Sequence, residues 1–119
     1  MAQLVQIQGL SGQMQDCIEN CDDCRDLCTA TVNHCLELGG VHATPANIRL
    51  LLDCAEICQT SASFMLRGSD LHRLTCGVCA DICARCADEC EQLAGGDAQM
   101  LACARACRAC SESCERMAS

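Results

Sequence analysis

The sequence predicts an all-α protein, an antiparallel up-down-up-down four-helix bundle with a Cys-lined core. Three observations carry this expectation. In four long stretches, cysteine and apolar residues recur at steps of three and four, the spacing of one helix face. The stretches are separated by helix punctuation at Gly39-Gly40, Thr44-Pro45, Gly68 and Gly95-Gly96-Asp97. The connections are short, so consecutive helices lie side by side and antiparallel. No strand-like alternation competes with this pattern.

The chain divides into a short N-terminal segment, 1–12, and a bundle, 13–119. In the segment, Leu4, Ile7 and Leu10 fit one turn of helix packed on the body. The first long helix is expected over 13–38, stopping at Gly39-Gly40. Its inward seam reads Met14, Cys17, Cys21, Cys24, Cys28, Thr31, Cys35 and Leu38. Thr31 stands where the rhythm asks for cysteine. The loop 39–43 carries His42. Thr44 is then an N-cap with Pro45 at the first helical position, opening a second helix over 45–67. Its seam is Asn47, Leu51, Cys54, Cys58, Ser61 and Met65.

Ser69-Asp70 is read as the cap of the third helix, 71–94, whose seam is His72, Cys76, Cys79, Cys83, Cys86, Cys90 and Leu93. Asp97 caps the fourth, 98–118, with Met100, Cys103, Cys107, Cys110, Cys114 and Met117 inward. At the usual rise per residue, helices of this size are about 30–40 Å long. Helices one, three and four share the spacing C-x3-C-x2-C-x3-C, a weak internal repeat. Cysteine is small, so the flanking Ile18, Leu27, Val32, Leu50, Leu52, Ile57, Val78 and Ile82 are expected to supply much of the ordinary packing.

Composition narrows the function. Sixteen cysteines in 119 residues exceed the level that marks disulfide scaffolds in secreted chains. Yet the first residues show no basic n-region and no apolar h-region, so no signal peptide is read there. A cytoplasmic protein so rich in cysteine is more often a metal binder than a cross-linked scaffold. The net charge of −8 offers no basic patch for nucleic acid. No run reaches membrane-spanning length. With Phe64 as the single aromatic residue, base stacking and flavin binding are poorly supported. No Ser/His/Asp set and no paired carboxylates stand on the seams, so no enzymatic activity is expected.

All sixteen cysteines fall on helix seams, which isolated buried thiols would not do. Within one helix, residues three or four apart are too far separated for good disulfides. Bridges between helices stay open, as does an iron–sulfur electron carrier, although a narrow tube leaves little room for a cluster. A continuous row of thiols with almost no His or carboxylate does not read as separate structural zinc sites. Soft thiolate and thioether ligands select Cu(I). Sixteen bare thiolates would be intolerable in a dry interior, and about one monovalent ion per thiolate cancels that charge. The expected load is on the order of 10 to 16 Cu(I) per chain, a store and not a catalytic centre.

Antiparallel order brings Met14, Met65, His72 and Met117 to one mouth of the tube, where three thioethers and an imidazole would form the port for Cu(I). Ions would pass from there to Cys17, Cys76 and Cys114. The other mouth offers Leu38, Asn47, Leu93 and Met100, with His42 in the adjoining loop, and reads as more closed. His34 lies one step off the seam and reads as a flank residue.

The C-x3-C-x2-C-x3-C helices, the segment L-D-C-A-E-I-C on helix two and the Cys-rich close of helix four resemble the bacterial four-helix-bundle copper storage proteins. The resemblance spans 14–117. It implies cytoplasmic Cu(I) storage, a homotetramer of bundles and a Met/His-lined mouth. Thr31, Asn47, Ser61 and Met100 occupy seam positions where related chains can place cysteine. This implies a capacity below that of the richest members, with Met100 as a potential thioether ligand.

Overall fold

The computed structural model describes residues 9–119. Four helices account for nearly all of them: α1 (Gly12–Leu38), α2 (Pro45–Leu66), α3 (His72–Ala94) and α4 (Ala98–Ala118). A short 3-10 turn, Gly40–Ala43, links α1 to α2. Among the described residues there is no strand. Of the N-terminal segment, Leu4 and Ile7 lie outside the described residues, whereas Leu10 packs on the core.

Local chemistry sets the helix ends. Side-chain oxygens of Ser11, Thr44 and Asp97 accept hydrogen bonds from the backbone N–H groups of Met14, Asn47 and Met100 at 3.1, 3.3 and 2.9 Å. Each satisfies a donor that the first helical turn leaves orphaned. The Ser11 cap was not read from the sequence, although serine before a helical run is an N-cap signal. At the other ends, Gly39 and Gly95 take φ of 71° and 54°, a region that side chains with a Cβ disfavour. The third helix differs from expectation. Leu71, not Ser69-Asp70, is its N-cap, and no side chain caps it. The Ser69 hydroxyl instead accepts from the Leu71 N–H in the preceding turn.

Each helix packs against its chain neighbours, and α1 also packs against α4, so the order around the bundle is α1-α2-α3-α4. Cross-helix contacts fix the antiparallel register. Cys17 meets Cys114 at one end, Cys54 meets Cys83 near the middle, and Cys28 meets Cys103 further along.

The packing around the sulfurs differs from the expectation in three places. Leu52 and Val78 are 43% and 50% exposed, so they do not fill the flanks, and Leu38 leaves the seam at 48% exposed. Ile18 is buried, and Leu27, Val32, Leu50, Ile57 and Ile82 are partly buried against the core. Alanine fills much of what remains. Ala80, Ala87 and Ala94 on α3 and Ala104 on α4 are buried, and the Ser111 hydroxyl donates to the Ala80 carbonyl at 2.8 Å. A thiol core is thin. Helices must approach closely for it to be filled, and small flanking residues permit that approach.

Asp97 also ties two helices together. Its carboxylate caps α4 and meets His34 Nε2 of α1 at 2.9 Å, so His34 is a pinned flank residue. The Met100 N–H, followed by His34, holds the Asp97 pKa below the ordinary carboxylate value. A depressed carboxylate pKa adds stability above its unfolded value, and that stability is lost as pH falls through the folded value. Asp97→Asn is therefore expected to lower Tm at neutral pH and to flatten the loss of Tm on acidification below the carboxylate range. Thermal melts across pH check this, and parallel acid limbs for both proteins would refute it.

Candidate metal centre

The helix seams place sixteen thiols on one axis. All sixteen are free and buried, with at most 1% of their surface exposed. Among the described residues, no His or carboxylate is buried with them. The polar side chains that do reach the seam are neutral: Thr31, Asn47 and Ser61.

The sulfurs touch. From one end, Cys17 meets Cys114 at 3.6 Å, Cys114 meets Cys21 at 3.7 Å, and Cys21 meets Cys110 at 3.6 Å. Cys110 reaches Cys58 at 3.7 Å. Cys58 lies 3.6 Å from Cys83, which lies 3.5 Å from Cys54. The path continues through Cys24 and Cys107 to Cys28 and Cys103 in steps of 3.6–3.7 Å. Cys86 interacts with Cys107, Cys28 and Cys90, and Cys90 with Cys103. Cys76 joins at the first end, close to Cys17 and Cys114, and its sulfur meets the Ser61 hydroxyl at 3.2 Å. The result is one continuous sulfur net.

Electrostatics within the net is cooperative. The S–H of Cys107 favours the thiolate of Cys54, pulling its pKa below the ordinary thiol value. Cys107 itself is pushed up, by Cys103, Cys24 and Cys28 and by burial. Within this pair, the proton is therefore held more tightly by Cys107 than by Cys54. Full ionisation of the net requires cations to replace its protons.

Cys35 stands at the far end and differs from the rest. Burial pushes its pKa up, opposed by the Asn47 amide, which donates to the Cys35 sulfur at 3.6 Å. The same amide donates to the His42 carbonyl at 2.7 Å. The His42 ring meets the Leu93 carbonyl at 2.8 Å, and Gln99 donates to Thr31 at 3.4 Å. Met100, at the start of α4, is fully buried. This end is stitched shut by hydrogen bonds. The sequence marked it as the more closed mouth but did not show the stitches, whose donors and acceptors lie on all four helices and a loop.

The opposite end carries the four residues read as a port. Met14 and Met117 are partly buried against the core, whereas Met65 is fully buried. His72 is half-buried, and its Nδ1 donates to the Ser69 carbonyl at 2.9 Å. That bond leaves the Nε2 lone pair as the ring's ligand atom. Each of the four lies one helical step beyond Cys17, Ser61, Cys76 or Cys114, so they form the next layer outward.

The sequence left two alternatives open, and the geometry bears on both. Sulfurs 3.5–4.0 Å apart on four packed helices leave no space for an iron–sulfur core without spreading the bundle. No disulfide is formed among the described residues. The row of thiols also divides in a way that spacing did not reveal. Several sets of four sulfurs lie within 4.8 Å of one another, among them Cys58, Cys79, Cys83 and Cys110.

Comparison with known proteins agrees with this picture. The chain matches the family described as copper storage protein over residues 10–119. A solved protein of Nitrosospira multiformis is 48% identical and superposes with a TM-score of 0.83, covering 89% of this chain and 94% of that one. The Cu(I)-bound copper storage protein BsCsp3 of Bacillus subtilis is 36% identical, with a TM-score of 0.82 over 90% of this chain and 99% of its own. A copper storage protein of Streptomyces lividans, loaded with 10 copper equivalents, is 34% identical, with a TM-score of 0.84 over 98% and 92% of the two chains.

Proposed function

The chain belongs to the copper storage protein family, and from that membership we propose that it stores many Cu(I) ions on the thiolates of its core. The ligands are Cys17, Cys21, Cys24, Cys28, Cys35, Cys54, Cys58, Cys76, Cys79, Cys83, Cys86, Cys90, Cys103, Cys107, Cys110 and Cys114. One observation carries the reading: sixteen buried free thiols share an interior in which, among the described residues, no Asp, Glu, Lys, Arg or His is buried. Such a core takes up soft monovalent ions and stays neutral as it fills, each Cu(I) taking the place of one thiol proton. Each ion displaces a proton, so affinity falls with acid by about tenfold per pH unit for each proton displaced.

Ions enter past Met14, His72 and Met117, with Met65 as the inner thioether of the port. The His72 tautomer, with Nε2 left as the ligand atom, supports this direction. So do the hydrogen bonds that close the Cys35 end. Met100, buried beside that end, is a peripheral thioether ligand. The store works in the cytosol, as does the S. lividans relative described as a cytosolic copper storage protein. No helix among the described residues is long and apolar enough to cross a membrane. Assembly into a homotetramer is supported by apolar surface left uncovered on one chain. Leu71, Leu74 and Val78 at the start of α3 are 58%, 69% and 50% exposed, at spacings that share a helix face.

Anaerobic titration of the reduced chain with Cu(I), against a chromophoric chelator, tests the store. Saturation on the order of 10 to 16 ions per chain is expected, and saturation at one or two would refute storage. With Met14, Met65, His72 and Met117 replaced by leucine, loading is expected to slow while capacity is nearly kept. An unchanged rate would remove the port.

A further inference from the structure

Four sulfurs around a zinc ion at about 2.3 Å form a tetrahedron with edges of about 3.8 Å. That edge is also the spacing at which packed thiols touch here. Wherever four thiols meet mutually, the seat exists before the metal arrives. Cys58, Cys79, Cys83 and Cys110 meet in this way, with five of the six edges at 3.8, 3.6, 3.7, 3.7 and 4.0 Å. Cys24, Cys28, Cys54 and Cys107 do the same, with five edges at 3.9, 3.7, 3.6, 3.7 and 4.0 Å. The sixth edge of each set is within 4.8 Å. The two sets share no sulfur.

We propose that these two quartets bind Zn(II), one ion per quartet, as a second cargo of the same core. The proposal uses the thiols of the copper reading but does not depend on copper. Each seat takes one divalent ion and four thiols, forms four metal–sulfur bonds and releases four protons. A tetrathiolate site with a net charge of −2 remains. That charge is costly in a dry interior, whereas Cu(I) paired one-to-one with thiolate is neutral. Copper therefore displaces zinc, and the empty store buffers zinc until copper arrives.

Two further quartets overlap these, Cys21/Cys79/Cys110/Cys114 and Cys24/Cys54/Cys58/Cys83, and the overlap makes the test sharp. Cys58→Ser leaves Cys21/Cys79/Cys110/Cys114 and Cys24/Cys28/Cys54/Cys107, which share no sulfur, so two seats survive. Cys79→Ser leaves two quartets that share Cys24 and Cys54, so only one can be filled. The reduced full-length chain is titrated anaerobically with Co(II), whose tetrathiolate complex has intense visible ligand-field bands, and then with Zn(II) to bleach them. The expected breakpoints are two ions for the unsubstituted chain, two for Cys58→Ser and one for Cys79→Ser, with unchanged circular dichroism.

Equal breakpoints for the two variants, absorbance rising past two without a break, or no tetrathiolate spectrum would each overturn the proposal. A parallel Cu(I) titration separates the two readings. High copper capacity without the cobalt breakpoints removes only the zinc seats, whereas failure to bind many copper ions removes the store.

Discussion

With Cys24, Cys54, Cys83 and Cys107 all replaced by serine, rapid uptake of Cu(I) is expected to stop at about seven ions per chain, although about twelve thiols remain. The argument is one of connectivity. These four cysteines form the middle of the sulfur net. Cys54 bridges to Cys83 at 3.5 Å, and Cys24 bridges to Cys107 at 3.6 Å. Seven thiols lie on the side of the proposed port: Cys17, Cys21, Cys58, Cys76, Cys79, Cys110 and Cys114. Five lie beyond: Cys28, Cys35, Cys86, Cys90 and Cys103. Serine keeps the shape and can hydrogen-bond within the layer, but its oxygen is a hard ligand that Cu(I) avoids. An ion that moves by exchanging one sulfur for the next has no stepping stone across the gap. At about one ion per thiolate, the fast phase ends with the near side. Stopped-flow transfer from a chromophoric chelator reads the amplitude. A fast phase of about twelve ions would show that copper reaches the far thiols by another route.

The second large effect concerns stability. Leu51 is fully buried and heads the largest fully buried side chains of the core. It sits on α2 between Asn47 and Cys54, in an interior built largely from small thiols and alanines. Truncation there leaves a cavity that short side chains cannot collapse to fill. Leu51→Ala is therefore expected to cost about 2–5 kcal/mol in the reduced, metal-free chain, lowering Tm by roughly 10 °C or more. Its chain neighbour is the control. Leu52 is 43% exposed, and Leu52→Ala should cost under about 1 kcal/mol. Denaturant melts under anaerobic reducing conditions read both. Similar losses at the two positions would mean that the sulfur seam is not the structural core.

The bundle was legible because two independent signals agreed. The three-four rhythm fixed which face of each helix turns inward, and Thr44-Pro45, Asp97 and the glycines fixed where helices begin and end. Antiparallel order then placed Met14, Met65, His72 and Met117 in one layer without coordinates. Two kinds of information were not legible. Spacing along one helix is silent on which sulfurs from different helices come within contact, so the quartets emerged only from the packed core. Rhythm also overstates burial at helix ends and flanks. Leu38 satisfies the period but lies in the last residue of α1, where the neighbouring helix has already ended. Val78 and Leu52 satisfy hydrophobicity but point away from an axis that alanine allows to be narrow. Polar partnerships such as Asn47 with Cys35 and His34 with Asp97 depend on tertiary closure, and no local pattern announces them.

With the port proposed above as the working mouth, the stitched end at Cys35 sets the order in which a loaded ion leaves. A tube with one working mouth is a stack: the last ion deposited is the first retrieved. Ions near His72 and Cys114 would turn over with every fluctuation in supply. Those beside Cys35 and Cys90 would form an archive, reached only after everything above them has been spent. Under that proposal the protein keeps a coarse history, in which the deepest seats hold the copper taken up earliest.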